Sequence, residues 1–209
     1  MRNLILILIC VAFITAEGRA QIKSGTGYQT VDFKSYFSLD AKPQLFLPTG
    51  YINNIYSAGG GLSLQVQKHM SDFLSICATA EYSLVSGRTY QLFYSTYESM
   101  TPSHFLNLFF GPKYSMLSGN IKPCISGGVG LLHIIKGKEK ITNFGESYES
   151  GYHGETNFFV NLGAGVDYAI NKKLSLILSS KYNAYFENGI SKTPFNYLTF
   201  QLGISYNIK

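Results

Sequence analysis

The sequence has few charged residues, few prolines, no tryptophan and, after its first 20 residues, no long hydrophobic run. Charged residues make up 14% of the 209-residue chain, whereas Gly numbers 21, Tyr 16 and Phe 15. A disordered chain needs the opposite balance, with high charge and few aromatic residues. Nothing beyond the N-terminus is apolar enough over a sufficient length to form a transmembrane helix. The composition favours many short strands joined by turns, in a single domain.

Residues 1–20 have the organisation of a cleaved signal peptide. Arg2 gives a positive start, residues 4–14 form an apolar run, and residues 18–20 are a small-x-small cleavage site. Cys10 raises the alternative of a lipoprotein, but the residue before it is Ile, where a small residue is required. The sequence therefore predicts an exported protein.

Apolar and polar residues alternate along the exported part in eight runs. Period-2 alternation is typical of β-strands with one apolar and one polar face. In the last run, Leu198 to Ile208 spans roughly 33 Å, which on a tilted strand covers roughly the 25 Å height of a lipid-facing band. Pro43 weakens the first run because it cannot donate to a ladder. The runs cover residues 37–47, 60–68, 73–85, 104–117, 122–135, 157–170, 174–186 and 196–209.

Long and short connections between these runs alternate strictly. One rim of a closed sheet would carry only tight turns, and the other would carry every long loop. This asymmetry is typical of bacterial outer-membrane barrels, with turns in the periplasm and loops outside. The sequence predicts an all-β, eight-stranded antiparallel up-and-down transmembrane β-barrel over residues 37–209. It also predicts two periplasmic termini and a periplasmic lead-in of little structure over residues 21–36.

A soluble lipocalin-like ligand carrier is the alternative, with the apolar face lining a cavity. That arrangement would pack many Leu, Phe and Tyr side chains into a narrow interior and leave a nearly uncharged outer face in water. Small residues such as Gly163, Gly165 and Gly203 suit the crowded inside of an eight-stranded barrel better. The lipocalin Gly-x-Trp signature is also absent, because the chain has no Trp.

The signal peptide, the eight runs and the alternating connections resemble the OmpA/OmpX-like outer-membrane β-barrel family across residues 37–209. The C-terminus resembles the signal read by the barrel-assembly machinery, with Gln201, Gly203, Tyr206 and Ile208 at its positions. It departs from that signal in ending on Ile rather than Phe and in the added Lys209. The Ala-Gln cleavage site and the Lys ending are similar to those of Bacteroidetes proteins. The resemblance implies outer-membrane lipid, lipopolysaccharide and the assembly machinery as partners.

Aromatic residues of the apolar face gather near both ends of the runs. Membrane barrels carry such girdles at both membrane interfaces. One predicted belt lies near the turns and the other near the loops; the residues are Tyr114, Tyr168 and Tyr206, and Tyr82, Tyr182 and Phe186.

Six charged residues fall on the predicted inner face. Acids and bases in a narrow interior are expected to pair, because an unpaired buried charge costs several kcal/mol. The pairs could form a plug of side chains, or they could rearrange to open a small-solute pore. The six are Asp40, Lys42, Glu81, Lys113, Asp167 and Lys181.

Signals of enzymatic chemistry are weak, and no catalytic residue, metal site or cofactor is predicted. Of the four histidines, only His69 stands in a His-x-Ser pattern, with Ser71, as an outer-membrane lipid-modifying enzyme would require. None has the spacing of a zinc site. Cys77 and Cys124 lie two runs apart, which predicts free, buried thiols rather than a disulfide.

The long loops are the expected place for any specific interaction, although their residues name no extracellular ligand. Residues 87–103 are rich in Tyr and Phe, and residues 136–156 contain Lys136, Lys138 and Lys140. These lysines could bind lipopolysaccharide phosphates, or the loops could simply extend the barrel. No basic stripe suits nucleic acid.

Overall fold

The computed structural model describes residues 20–24, 27–31, 35–50, 52–93, 96–117, 119–143, 146–149, 151, 153–186 and 195–208. Apart from Ala20, the predicted signal peptide lies outside these residues. The elements, in chain order, are β1 (Ala20–Ser24), β2 (Gly27–Val31), β3 (Tyr36–Thr49), α1 (Ile52–Ile55), β4 (Tyr56–His69), β5 (Leu74–Gly87), β6 (Thr89–Phe93), β7 (Thr96–Met100), β8 (Ser103–Ser115), β9 (Ile121–Lys136), β10 (Glu139–Asn143), β11 (Glu146–Glu149), β12 (His153–Ala169), β13 (Leu174–Phe186) and β14 (Phe195–Ile208).

Eight long antiparallel strands close into one barrel. Each pairs with the next in the chain order β3, β4, β5, β8, β9, β12, β13, β14, and β14 closes the barrel by pairing with β3. This confirms the predicted eight-stranded up-and-down barrel. The predicted runs agree with the strands to within about four residues at each end, and β13 has the predicted bounds.

Side chains alternate between the inside and the outside of the barrel wall. Along β3, Ser38, Asp40 and Lys42 are buried inside, whereas Leu39 and Leu45 point outward and are almost half exposed. The same alternation places the large apolar residues of the other barrel strands on the outer surface. Such a face is stable against lipid and contradicts the lipocalin-like alternative, in which this face would line the cavity.

The two ends of the barrel differ in their connections. At one end, the turn end, residues 70–73, 116–120 and 170–173 join consecutive strands. The described part of the turn at 116–120 contains Gly119, whose φ of 134° favours glycine. The other end, the loop end, carries α1 and the long connections. Within the described residues, no helix has the length and apolar character needed to cross a bilayer.

Two of the long connections form a second sheet at the loop end. Strands β6 and β7 come from one connection and β10 and β11 from the next, and they pair in the order β11-β10-β7-β6. We call these four strands the loop-end sheet. The pairing between β7 and β10 runs from Met100 opposite Glu139 to Thr96 opposite Asn143.

The lead-in was predicted to have little structure, and this expectation was wrong for part of it. Strands β1 and β2 form an antiparallel pair, with Ala20 opposite Val31 and Ser24 opposite Gly27. The segment contains strand-forming residues such as Ile22, Tyr28 and Val31, and only two residues separate the strands. A spacing this short favours a hairpin over an irregular segment.

Candidate functional site

Apolar side chains pack together in the loop half of the lumen. Nine buried residues pack together there, and Phe46, Phe105, Phe159 and Tyr197 have no exposed surface. The ring centroids of Phe46 and Tyr197 lie 4.4 Å apart in a stacked arrangement, and those of Phe46 and Phe105 lie 5.1 Å apart. We call this set the apolar layer; its residues are Phe46, Tyr56, Val85, Phe105, Leu132, Ile134, Phe159, Tyr185 and Tyr197.

The apolar layer was not predicted from the sequence. Except for Tyr56, which lies across a register shift from Gly59, its members stand on the face that the alternation assigns to polar residues, so parity treats them as exceptions. The position of these exceptions could have predicted the layer, because every one of them lies near the loop end of its strand. Phe46, for example, is near the end of β3, and Tyr197 is near the start of β14, which runs the opposite way.

Glu81 is the centre of a hydrogen-bonded layer below the apolar layer. Its carboxylate accepts from Lys181 Nζ at 2.7 Å and from Gln201 Nε2 at 2.8 Å. It also accepts from Asn107 Nδ2 and Ser63 Oγ, each at 3.3 Å. Glu81 is 1% exposed, so these four donors replace the water that a buried carboxylate has lost.

The Glu81 layer is connected to the apolar layer above it. Asn107 Nδ2 also donates to the Tyr197 hydroxyl at 3.0 Å. Lys181 Nζ lies 4.5 Å from the centroid of the Phe109 ring, within the range of a cation–π contact. Phe109 in turn packs edge-on against Phe159, with centroids 5.8 Å apart. In the loop half of the lumen, the buried ion pair, the Asn107 amide and the aromatic rings are therefore connected by direct contacts.

The remaining predicted charges form two further pairs. Lys42 Nζ donates to Gln65 Oε1 at 2.7 Å and lies 3.8 Å from Asp40 Oδ2, which also accepts a hydrogen bond from Gln67. Closer to the turn end, Lys113 Nζ lies 2.5 Å from Asp167 Oδ2. All six charged residues thus lie on the inner face and form three ion pairs, counting Lys181 with Glu81.

Both cysteines of the described chain line a small chamber between these pairs. The chamber measures about 30 Å³, and Lys113 also borders it. That volume admits only about two or three water molecules, each of which needs about 10–15 Å³. Cys77 and Cys124 are each 6% exposed and free.

A larger cavity opens at the turn end. It measures about 300 Å³, and we call it the turn-end cup. Hydroxyl, amide and charged groups line it, and it lies on the turn side of the Lys113–Asp167 pair. Residues of its wall include Lys113, Ser115, Lys122, Asp167, Ser175 and Ser205.

His69 is held at the edge of the cup and does not pair with the nearby Ser71. Its Nε2 lies 3.1 Å from Ser38 Oγ and its Nδ1 lies 2.9 Å from Ser75 Oγ, while Tyr36 stacks on the ring at 4.2 Å. Ser71 Oγ accepts instead from the backbone N–H of Leu74 at 2.9 Å, as a turn residue does. The His-x-Ser pattern is therefore a turn feature.

The rings of His104 and His133 also lie within hydrogen-bond distance of a hydroxyl group. Tyr82 Oη lies 2.8 Å from His104 Nδ1, and Thr156 Oγ1 lies 2.8 Å from His133 Nδ1. Across the described residues, no group of three His, Cys, Asp or Glu side chains could hold a metal ion.

The predicted belt residues lie on the outer surface wherever their side chains are described. Tyr82 and Tyr182 lie near the loop end, and Tyr114, Tyr168 and Tyr206 lie near the turn end; each is 44–48% exposed. The side chain of Phe186 lies outside the described part. Of the C-terminal positions, Tyr206 and Ile208 point outward, and Gln201 points into the lumen, where it donates to Gln44 and Glu81.

Two of the three loop lysines have acidic partners within the chain. Lys136 Nζ lies 3.1 Å from Glu155 Oε2, and Lys138 Nζ lies 3.9 Å from Glu149 Oε2. Lys140 is exposed on β10 and has no ion pair with another described residue. The positive charge available to a ligand at the loop end is therefore smaller than the sequence suggests.

A family model described as an outer membrane protein beta-barrel domain matches residues 4–207. No curated protein matches the chain.

Several solved structures are similar in fold. The outer membrane protein OprG from Pseudomonas aeruginosa is 11% identical, covering 83% of this chain and 96% of its own, with a TM-score of 0.56. A major outer membrane protein from Thermus thermophilus is 15% identical, covering 84% and 100%, with a TM-score of 0.53. Neisserial surface protein A is 14% identical, covering 85% and 99%, with a TM-score of 0.51.

Proposed function

Because the chain belongs to the outer membrane protein β-barrel domain family, we propose that it is a barrel closed by its own side chains, with a structural or surface-interaction role. The observation that carries this proposal is the apolar layer. Its rings and aliphatic side chains meet across the lumen and are buried. An eight-stranded barrel has an interior just wide enough for side chains to fill.

The Glu81 layer supports the same proposal. Below the apolar layer, Glu81, Lys181 and Gln201 bond to one another across the lumen, with distances of 2.7–2.8 Å. A solute that passed through would have to break these bonds and displace the rings above them. The alternative small-solute pore requires such a rearrangement.

Conductance of the purified protein in planar lipid bilayers tests this proposal. We expect no steady channels from the unaltered protein. A triple variant with Phe46, Phe105 and Phe159 replaced by Ala removes three rings of the apolar layer and should show brief or small openings, which demonstrates that inserted protein is being measured. Steady channels from the unaltered protein would contradict the closed lumen and favour the pore.

The proposed position in the membrane follows from the two ends of the barrel. The turn end and both termini face the periplasm, and the loop-end sheet lies outside the cell. The outward apolar face contacts outer-membrane lipid, and Gln201, Gly203, Tyr206 and Ile208 act as the signal for the barrel-assembly machinery. Tight periplasmic turns and longer external loops are the general arrangement of such barrels.

The loop-end sheet is the surface that we propose for any interaction outside the cell. It extends the chain beyond the barrel wall. Tyr148 is 61% exposed on it, and Lys140 is also exposed. Lys138, which directly precedes β10, pairs with Glu149 on β11, so a ligand would meet a surface of mixed charge. Lipopolysaccharide phosphates could bind Lys140 there.

We do not propose catalysis for this barrel. Each described histidine ring is engaged by neighbouring hydroxyl groups, and His69 and Ser71 of the His-x-Ser pattern do not pair. Mass spectrometry of lipid A from cells with and without the protein tests the rival enzyme. A change in acyl chains that depends on His69 would contradict a non-enzymatic role.

A further inference from the structure

We propose that the turn-end cup is a binding site for a small oxyanion, meaning a free phosphate or carboxylate group, with Lys122 as its principal cation. The cup holds about 300 Å³, which is at the lower end of the size of small-molecule sites. The three ion pairs and the apolar layer lie between it and the loop end. A ligand would therefore enter and leave from the turn side alone.

The charges around the cup leave Lys122 without compensation. Lys122 and Asp167 are opposite each other on β9 and β12, but the carboxylate is already engaged by Lys113 at 2.5 Å. Asp167 lowers the positive potential of the cup, but the charge of Lys113 offsets it, which leaves Lys122 as the additional positive charge. Within the described chain, Lys122 forms no ion pair. At the rim, Asp72 and Lys172 contribute opposite charges.

Neutral donors complete the site. The hydroxyls of Ser115, Ser175 and Ser205 line the cup, and none of the three has a hydrogen-bond partner among the described side chains. A hydroxyl can turn its hydrogen toward an anion's oxygen, and a hydrogen bond to a charged group is shorter and stronger than one between neutral groups. One ammonium group and several free hydroxyls fit an oxyanion better than a cation or an apolar ligand.

The test uses the full exported chain, isotopically labelled and folded in detergent micelles, with inorganic phosphate, acetate and tetramethylammonium chloride as probes at constant ionic strength. Backbone amide shifts of Ser115, Ser175 and Ser205 are followed by NMR. We expect saturable shifts with phosphate or acetate and none with tetramethylammonium. The two anions also separate a phosphate ligand from a carboxylate ligand.

Lys122→Gln should weaken this binding at least tenfold, whereas Lys140→Gln, on the loop-end sheet, should leave it unchanged. Ser175→Ala is the second variant, in case Lys122→Gln does not fold, and it should weaken binding severalfold. Absent or non-saturable shifts, equal affinity in Lys122→Gln, or equal shifts with tetramethylammonium would each overturn the proposal. The closed lumen is measured separately by conductance, so the two proposals can fail independently.

Discussion

At the scale of single residues, Glu81 shows how a barrel interior accommodates charge. Its four donors come from strands β4, β8, β13 and β14, so one carboxylate on β5 connects five of the eight barrel strands. Lys181 and Gln201 are its closest partners. Parity along each strand predicted which charges face inward, but it could not predict which of them pair. Pairing depends on strand tilt and side-chain height, which a single strand does not reveal.

Replacing Glu81 tests the strength of this layer. Glu81→Gln leaves the Lys181 ammonium buried without its counter-charge, which should lower the free energy of unfolding by about 3–5 kcal/mol. The double variant with Lys181→Met should recover part of the loss, because neither partner then leaves a buried charge. Urea unfolding in lipid vesicles measures both.

Lys138→Gln is the matched control for the Glu81 variants. Lys138 pairs with Glu149 at 3.9 Å with both side chains about half exposed, so its loss should change stability by less than about 1 kcal/mol. Equal effects of Glu81→Gln and Lys138→Gln would show that the buried layer does not depend on its charge.

At the scale of elements, the eight wall strands were predictable from the sequence, whereas the loop-end sheet, the hairpin of β1 and β2 and the apolar layer were not. Lipid outside and a crowded lumen inside impose a period of two on every barrel strand, so the alternation around residues such as Leu198–Ile208 identifies the strands. The loop-end sheet lacks this constraint, because neither face of it is required to meet lipid. Strands β1 and β2 have only five residues each, which is too short for a clear alternation pattern. The apolar layer was missed because its order is visible only when eight strands are aligned by height.

At the seam between β3 and β14, the two backbones approach closely at Gly203, which is one of the positions of the C-terminal signal. Pairing between the two strands is interrupted where Leu202 and Gly203 face Pro43 and Lys42. It resumes in the same register with Ile204 opposite Ala41. Pro43 points outward, and its missing N–H accounts for part of the gap. A Cβ on Gly203 would overlap the Ala41 carbonyl oxygen and would lie 2.7 Å from Lys42 Cα.

Gly203→Ala should therefore force the seam apart. Overpacking of this kind costs about 1–3 kcal/mol, and we expect a matching loss of unfolding free energy and of folded protein in the outer membrane. Gly60→Ala on β4 is the control, because the nearest atom to its added Cβ is the Gln44 carbonyl oxygen at 3.9 Å. Gel mobility before and after boiling, together with urea unfolding, measures both variants. An unchanged Gly203→Ala protein would show that the seam can widen freely.

At the scale of the whole molecule, the proposed orientation predicts which end of the barrel meets the outside of the cell. Lys140 lies on the loop-end sheet and Lys172 lies in the turn between β12 and β13, and both are exposed. A cysteine at either position can react with a reagent that does not cross the outer membrane. The native Cys77 and Cys124 are each 6% exposed inside the wall, so they should give little background.

In intact cells, a membrane-impermeant maleimide should label Lys140→Cys and leave Lys172→Cys unlabelled. After the outer membrane is permeabilised, both should react, because only the barrier has been removed. The opposite pattern would reverse the barrel and place the turn-end cup outside the cell. Labelling of both variants in intact cells would contradict a barrel that separates its two ends across a membrane. The same two sites thus test the orientation of the barrel. That orientation determines from which side of the membrane a ligand reaches the turn-end cup.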